Sequence, residues 1–194
     1  MKNVFCDVLF PTIVVYNENE DIINESIVSF ARKIVKENYD KPFYSPCYST
    51  VNKLASVLDY KEFSFIKQRI INCLGAYLQR TKIKKENLKF SCSWINLYEQ
   101  HGYQDLHNHN RSMISGVFYL KSDGNKDLIF QSPAHFFQPI APEYEEKNIE
   151  NCWNVEYESK VGRCFIFPSH LMHRTLPATS ERISLSFNII YDKE

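Results

Sequence analysis

The chain has 194 residues, 23 basic and 23 acidic side chains, and 14% aromatic residues. A chain of this length can bury roughly 70% of its unfolded surface, so we expect a single domain over residues 1–194. Its balanced charge gives no electrostatic reason to expect a nucleic acid or an anionic membrane as partner. Neither an apolar run of about 18 residues nor a secretory leader is present, so we expect no membrane span and predict a cytoplasmic protein.

The six cysteines are scattered along the chain without Cys-x-x-Cys spacing. This distribution argues against a zinc knuckle or a redox pair, and a chain of this size needs no covalent cross-links to fold. We therefore expect reduced, unpaired thiols.

The start of the chain predicts one strand and one helix. Residues 4–16 alternate enough around Pro11 to form an extended segment, which we expect at the edge of a sheet. Asn19 or Asp21 can cap the helix that follows. Its apolar residues recur at three- and four-residue intervals, and we expect it to end near residues 38–42.

The following segments predict a loop, a second helix and then strands. Residues 42–48 contain two prolines and two tyrosines and predict a loop. A second helix is expected over residues 63–81, where apolar side chains form one stripe. Residues 88–98 alternate as a strand. One side of this strand is expected to carry Phe90, Cys92, Trp94, Asn96 and Tyr98. Further strands are expected at residues 112–120, 127–131, 163–168 and 183–191.

Two helical segments followed by many short strands predict a mostly β, α+β chain. We expect helical support from about residue 18 to about residue 85. From about residue 88 to about residue 191 we expect a cupin-like double-stranded β-helix, also called a jelly roll. Barrels of this kind hold small ligands in their mouths.

Residues 132–160 form a long irregular stretch with three prolines and an acidic run. Loops of this length within a compact domain are usually functional or mobile. Two interpretations remain open. The stretch is either a solvated insertion or a substrate lid over the barrel mouth, with a contact surface made of His135, Phe136, Phe137 and Trp153.

Three histidines have the spacing expected of a metal site. His107 and His109 are two residues apart in a segment that we expect to be extended, so both imidazoles point to the same face. His173 lies between two strand-like runs, where the chain should return beside the first histidines. Three imidazoles suit Fe, Zn, Cu or Ni.

The third ligand remains open, because the common non-haem iron arrangement is two histidines and one carboxylate. Asp105 shares the face of His107 and His109 if the strand is regular, so it is an alternative to His109, which we prefer. His101 and His170 match no ligand position, and we interpret them as ordinary surface or hydrogen-bonded histidines.

Arg182 lies nine residues beyond His173 and begins an alternating run, so that Arg182, Ser184 and Ser186 share one face. A guanidinium held near a metal is a bidentate partner for a carboxylate, and a nearby hydroxyl can add a hydrogen bond to it. The natural ligand of such a face is a small dicarboxylate.

These motifs resemble those of the 2-oxoglutarate- and Fe(II)-dependent oxygenases, and within them a group of small members related to the prolyl hydroxylases. The matching motifs are the His-x-His pair, the Ser-Gly-Val-Phe-Tyr strand at residues 115–119, and a block at residues 167–188. This block reads Phe-Pro-Ser-x-Leu-x-His and then Arg-x-Ser-x-x-Phe-Asn. The resemblance covers roughly residues 90–191.

The resemblance implies that His107 and His173 bind Fe(II) and that Arg182 pairs with the distal carboxylate of 2-oxoglutarate. It also places Tyr98 and Tyr119 where such enzymes often have tyrosines around this cosubstrate. The expected cofactors are therefore Fe(II) and 2-oxoglutarate, with O2 as the second cosubstrate.

The departure from the family pattern is His109, which stands where the wider superfamily has the Asp of a His-x-Asp pair. Three functions remain open. The first is a hydroxylase that holds Fe(II) through His107, His109 and His173, acts on a protein or peptide side chain or a small metabolite, and releases succinate and CO2. The second is a three-histidine cupin-type enzyme that uses no 2-oxoglutarate, and the third is a catalytically inactive binding module. Arg182 favours the first over the second.

Overall fold

A computed structural model of the chain describes residues 5–18, 23–40, 45–122, 124–134 and 142–192. These residues contain two α-helices, α1 at Glu25–Asn38 and α2 at Ser64–Thr81. The ten strands are β1 Val15–Asn17, β2 Cys47–Ser49, β3 Leu88–Tyr98, β4 Gln104–His107, β5 Ile114–Lys121, β6 Lys126–Gln131, β7 Asn154–Glu158, β8 Cys164–Pro168, β9 His173–Thr175 and β10 Arg182–Tyr191. Short 3-10 turns at Val57–Asp59 and Lys61–Phe63 lead into α2.

The start of α1 differs from the sequence prediction. Asn24 is its N-cap, because the Asn24 side chain accepts a hydrogen bond from the Ile27 backbone N–H at 3.1 Å. The prediction of a cap at Asn19 or Asp21 is wrong for this helix, and both positions lie outside the described residues. The predicted end of the helix is confirmed at Asn38.

Helix α2 begins within one residue of its predicted start and ends where predicted, at Thr81. Its apolar stripe is buried. Lys82 ends the helix in the left-handed conformation, with φ of 58°. Neither of the helices described is long and apolar enough to cross a membrane.

The strands form two antiparallel sheets. The larger has the order β1-β8-β5-β10-β3-β2, and the smaller has the order β4-β9-β6-β7. The predicted N-terminal strand is an edge strand but is much shorter than predicted, and only Val15–Asn17 pairs with β8. The loop prediction for residues 42–48 is wrong at its end, because β2 pairs there with β3. The prediction that residues 132–160 are irregular is wrong for β7, which pairs with β6.

Apolar side chains pack on both faces of the larger sheet. On one face, α1 and α2 cover a core that includes Ile95, Phe118 and Leu185. Between the two sheets lies a smaller core that includes Leu128, Phe130 and Phe167. The structure therefore confirms a mostly β chain with two helices on one side.

Strand β3 does not keep the alternation that its sequence predicts. Cys92 is opposite Asn188 and Phe90 is opposite Ile189, so Ser91 is an extra residue that forms a bulge. The bulge turns Phe90 toward the helix side, where it packs against the larger core. The prediction that Phe90 shares the side of Trp94, Asn96 and Tyr98 is therefore wrong.

The cysteines form no disulfide within the described residues, which include all six of them. This agrees with the expectation of free thiols. Of the four predicted lid residues, His135, Phe136 and Phe137 lie outside the described residues. Trp153 is partly buried, and its backbone carbonyl accepts a hydrogen bond from the Ser132 N–H at 2.7 Å. The lid stays a prediction.

Candidate metal centre and cosubstrate cavity

The two short strands of the smaller sheet bring two of the predicted ligands together. His107 is the last residue of β4, His173 is the first residue of β9, and the two are directly opposite each other in the antiparallel register. Their ring centroids are 4.3 Å apart. A contact between residues 66 positions apart thus depends on the pairing of two strands of three and four residues.

His109 follows the end of β4 and completes the cluster. Its ring centroid lies 5.3 Å from that of His107 and 5.2 Å from that of His173. The His109 backbone N–H donates to the Ser169 carbonyl at 2.9 Å, and Trp94 packs against the ring with centroids 5.7 Å apart. One potential ligand atom from each histidine lies within 4.8 Å of the others. The structure thus brings together the three predicted ligands.

Two of the imidazoles are oriented by backbone carbonyls. His107 Nδ1 lies 2.7 Å from the Asp105 carbonyl oxygen, and His173 Nδ1 lies 2.9 Å from the Leu171 carbonyl oxygen. A carbonyl can only accept a hydrogen bond, so Nδ1 carries the proton in both rings and Nε2 keeps its lone pair. Hydrogen bonds of this kind fix the tautomer and orientation of metal-binding histidines.

Burial keeps the three imidazoles neutral. It lowers the pKa of His109 to about 4 and, with a smaller contribution from His107, lowers the pKa of His173 to about 3. The pKa of His107 is also lowered by burial. A neutral imidazole is the form that binds a metal, so the cluster is in its metal-binding protonation state at neutral pH.

The other candidate residues lie outside this cluster. Asp105 is exposed and contributes its backbone carbonyl to His107, and its carboxylate is not among the clustered ligand atoms. His101 adopts a positive φ of 67° in the turn before β4, where its backbone N–H donates to Ala178. His170 is exposed. The geometry therefore favours His109 over Asp105 as the third ligand.

A cavity of about 300 Å³ extends from the histidine cluster between the two sheets. Tyr98, Tyr119 and Ser184, three of the predicted cosubstrate residues, line it together with the three histidines. Ser184 and Tyr119 are opposite each other on β10 and β5. The Tyr98 hydroxyl donates to Gln104 Oε1 at 2.8 Å, and burial raises the pKa of Tyr98 well above its usual value.

Arg182 is completely buried and contacts Tyr98, one of the residues that line this cavity. Its guanidinium carbon is 4.4 Å from the centre of the Tyr98 ring, which is a cation–π contact. The Nη2 group donates to the Leu176 carbonyl at 3.1 Å. Nη1 forms an ion pair with the carboxylate of Asp127, at the start of β6. The predicted carboxylate-binding residue is therefore already paired with a carboxylate of the chain itself.

Sequence reasoning missed Asp127, Gln104 and Thr175. Asp127 is 1% exposed, although the sequence marks it only as the polar first residue of a predicted strand. Its position directly before the apolar residues 128–130 is the one signal that could have drawn attention to it. Thr175 and Gln104 line the cavity, and the Gln104 N–H donates to Thr175 Oγ1 at 2.9 Å.

Comparison with known families agrees with this geometry. The model of the family described as "Putative 2OG-Fe(II) oxygenase" matches residues 92–188, which is half of the chain. The chain belongs to this family of 2-oxoglutarate and Fe(II) oxygenases. The assignment confirms the predicted superfamily, and the description names the two predicted cofactors. No curated protein matches the chain.

Solved structures with the same fold include three informative examples. The crystal structure of a prolyl-4-hydroxylase from Pseudomonas putida has a TM-score of 0.65 and 15% identity, with 94% of each chain covered. HygX from Streptomyces hygroscopicus, with nickel and 2-oxoglutarate bound, has a TM-score of 0.61 and 10% identity, with 93% of this chain and 84% of HygX covered.

The third example is a prolyl hydroxylase from Trichoplax adhaerens in complex with a peptide fragment of the hypoxia inducible factor oxygen degradation domain. It has a TM-score of 0.54 and 13% identity, with 91% of this chain and 84% of that chain covered. At these identities the likeness shows that the chain shares the fold of the three proteins.

Proposed function

We propose that the chain is an Fe(II)- and 2-oxoglutarate-dependent dioxygenase that hydroxylates a side chain of a protein or peptide, or a small metabolite. The reaction would consume 2-oxoglutarate, O2 and a C–H bond, and would yield succinate, CO2 and an alcohol. The observation that carries this proposal is the convergence of three imidazoles on a cavity whose lining includes Tyr98, the contact partner of the buried Arg182.

The residues have separate roles in this proposal. His107, His109 and His173 would hold Fe(II), and Arg182 would take the distal carboxylate of 2-oxoglutarate. The metal, when bound, supplies the redox chemistry with O2, and the protein binds, orients and excludes water. The remaining cavity residues proposed to contact the cosubstrate are Tyr98, Tyr119 and Ser184.

We also propose that residues 1–194 form one domain and that the two sheets form a double-stranded β-helix. In support, the eight strand pairs formed by the described residues are antiparallel, and residues of both sheets line the cavity. The helices cover the opposite face of the larger sheet, so they support the barrel without entering its mouth.

A side chain of a protein or peptide is the first candidate substrate. The Pseudomonas putida protein is a prolyl-4-hydroxylase, and the Trichoplax adhaerens protein is a prolyl hydroxylase in complex with a peptide. A small molecule is the alternative, because HygX has also been solved with hygromycin B bound.

One observation favours a second function. Because Asp127 already neutralises Arg182, the site does not present an isolated positive charge to a dicarboxylate. A three-histidine cupin-type enzyme that uses no 2-oxoglutarate would need no such charge. Binding of 2-oxoglutarate therefore separates the two functions.

The decisive experiment is calorimetric titration of 2-oxoglutarate into the metal-loaded protein under oxygen-free conditions. Arg182→Lys should weaken binding, because an ammonium does not reproduce the planar fork, and Arg182→Ala should weaken it more. Affinity for Fe(II) without cosubstrate should stay nearly constant in both variants, and circular dichroism checks that they remain folded. Absence of 2-oxoglutarate binding at millimolar concentration in the unmodified protein would transfer support to the cupin-type enzyme.

A further inference from the structure

The ion pair between Asp127 and Arg182 joins the two sheets. Asp127 belongs to β6 of the smaller sheet and Arg182 to β10 of the larger sheet, and both side chains are almost fully buried, at 2% and 0% exposure. The second carboxylate oxygen of Asp127, Oδ1, accepts no hydrogen bond from the described residues. This oxygen is thus buried without a hydrogen bond, which raises the free energy of a charged group. A buried polar atom of this kind calls for an explanation.

Three groups near the pair are neutral. Burial raises the pKa of Cys47 to about 12 and raises the pKa of Tyr98 well above its usual value, so neither carries a charge at neutral pH. The Leu176 carbonyl, which accepts from Arg182, is uncharged as well. The charge of Asp127 therefore balances the charge of Arg182 before any ligand arrives.

A second carboxylate at Arg182 would change this balance. The distal end of 2-oxoglutarate would place a second negative charge beside one buried arginine, and like charges in a buried site raise the free energy of the charged state. Asp127 is held on β6 of the smaller sheet, so it pairs with Arg182 without the loss of translational freedom that a dissolved ligand undergoes. An internal carboxylate is therefore a strong competitor for the guanidinium.

We propose that Asp127 competes with the distal carboxylate of 2-oxoglutarate for Arg182, and thereby sets both the affinity and the selectivity of the cavity for dicarboxylates. This inference rests on the proposed function, because it concerns the same cosubstrate. Asp127 acts through Arg182, so it is a positioning residue.

The test compares two ligands in the Asp127→Asn variant. Removing the competing charge should make 2-oxoglutarate bind at least about tenfold more tightly to the metal-loaded protein, since close buried charge pairs are commonly coupled by more than that. Binding of 2-oxobutyrate, a 2-oxo acid without a distal carboxylate, should stay unchanged. A general change in cavity structure would alter both ligands together, so the ratio of the two affinities is the readout.

Glu181→Gln provides a matched control. Glu181 is the neighbour of Arg182 in sequence, but its carboxylate pairs with Arg32 and Lys121. This variant also removes one negative charge, at the position next to Arg182 in the sequence, and should leave the ratio of affinities unchanged. A ratio that rises equally in both variants would show a general electrostatic effect and overturn the competition.

A second measurement needs no variant. In the unmodified protein, 2-oxoglutarate should bind less than about tenfold more tightly than its distal amide, because the like charge of Asp127 opposes a charged ligand end at Arg182. Preference for the acid by more than about a hundredfold would show that Arg182 meets the ligand as an uncompensated cation, and the inference would then be wrong.

The measurements distinguish failure of the Asp127 competition from failure of the proposed dioxygenase function. If the unmodified protein binds 2-oxoglutarate and Asp127→Asn binds it equally well or more weakly, the competition is wrong and the proposed function stands. If neither protein binds 2-oxoglutarate at millimolar concentration, the proposed function fails and the competition fails with it.

Discussion

The histidine cluster and the ion pair of Arg182 are buried in different electrostatic states, and we call them the histidine end and the arginine end of the site. At one end, burial holds His107, His109 and His173 in their neutral form, with pKa values lowered to about 4 for His109 and about 3 for His173. At the other end, Arg182 and Asp127 are both buried and form an ion pair. The histidine end offers neutral nitrogen atoms that can bind a cation. At the arginine end, the positive charge of Arg182 is already balanced by Asp127.

The two cofactors therefore face different energetic requirements. A metal ion entering the histidine end replaces no internal partner of His107 or His173, because the Nδ1 hydrogen bonds of these two rings to carbonyls leave Nε2 available. A dicarboxylate entering the arginine end must share Arg182 with Asp127. Metal binding should therefore depend mainly on the histidines. Cosubstrate binding should depend on how Arg182 is shared between Asp127 and the ligand.

The largest effect is expected at the histidine end. His107→Ala or His173→Ala should reduce Fe(II) affinity by more than about a hundredfold, because even the loss of an outer-shell partner costs up to that much. The fold should persist, since apolar side chains form the two cores. Isothermal titration with Fe(II) under oxygen-free conditions measures the affinity, and His170→Ala is the matched control because His170 is exposed.

Comparison of His109→Ala with Asp105→Ala then identifies the third ligand. The variant of the true ligand should lose Fe(II) binding nearly as severely as His173→Ala, and the other should keep it. Retention of Fe(II) affinity in both His107→Ala and His173→Ala would place the metal elsewhere and remove the contrast between the two ends.

The second effect concerns stability at the arginine end. Arg182→Met leaves Asp127 buried without its counter-charge and should destabilise the fold by about 3–5 kcal/mol, the usual effect of breaking a buried pair. The double variant Arg182→Met, Asp127→Leu removes both charges and should recover most of the loss. Urea unfolding of the metal-free protein measures both values. A double variant no more stable than the single one would mean that the two buried charges do not depend on each other.

Much of this architecture could be predicted from periodicity. Helix α2 and strands β5, β8 and β10 lie close to their predicted bounds, because each buries a continuous apolar face. The strands β4 and β9 are too short to show a periodic pattern of apolar residues. They form because each pairs with a neighbouring strand in the folded sheet. The bulge at Ser91 likewise depends on pairing with β10, which no local pattern reveals.

The site could be predicted in part for a related reason. The two-residue spacing identified His107 and His109, although β4 ends at His107 and His109 lies beyond it. His173 was identified by its place between two strand-like runs. The alternation that begins at Arg182 identified the arginine. Asp127 was missed because its role comes from a contact between residues 55 positions apart on different sheets. A single sequence indicates which residues share a face, but it does not show which charges meet across the interior.

The third and smallest effect is a dependence of stability on pH that belongs to the histidine end. The pKa values of His109 and His173 in the folded protein lie below the ordinary value of 6.5, so the unfolded chain binds protons more readily. Stability of the metal-free protein is therefore complete above pH 6.5. It should fall as the pH drops from 6.5 toward about 4 for His109 and toward about 3 for His173.

Between pH 6.5 and 5.5 the loss should be about 1 kcal/mol for each of these histidines, as follows from proton linkage. Urea unfolding at several pH values measures the slope. His109→Asn removes one titrating group and should make the slope shallower, whereas His170→Asn, at an exposed position, should leave it nearly unchanged. An identical slope in His109→Asn would show that His109 is not held neutral by burial. The histidine end would then not be an uncharged site, and its contrast with the ion pair of Arg182 and Asp127 would be lost.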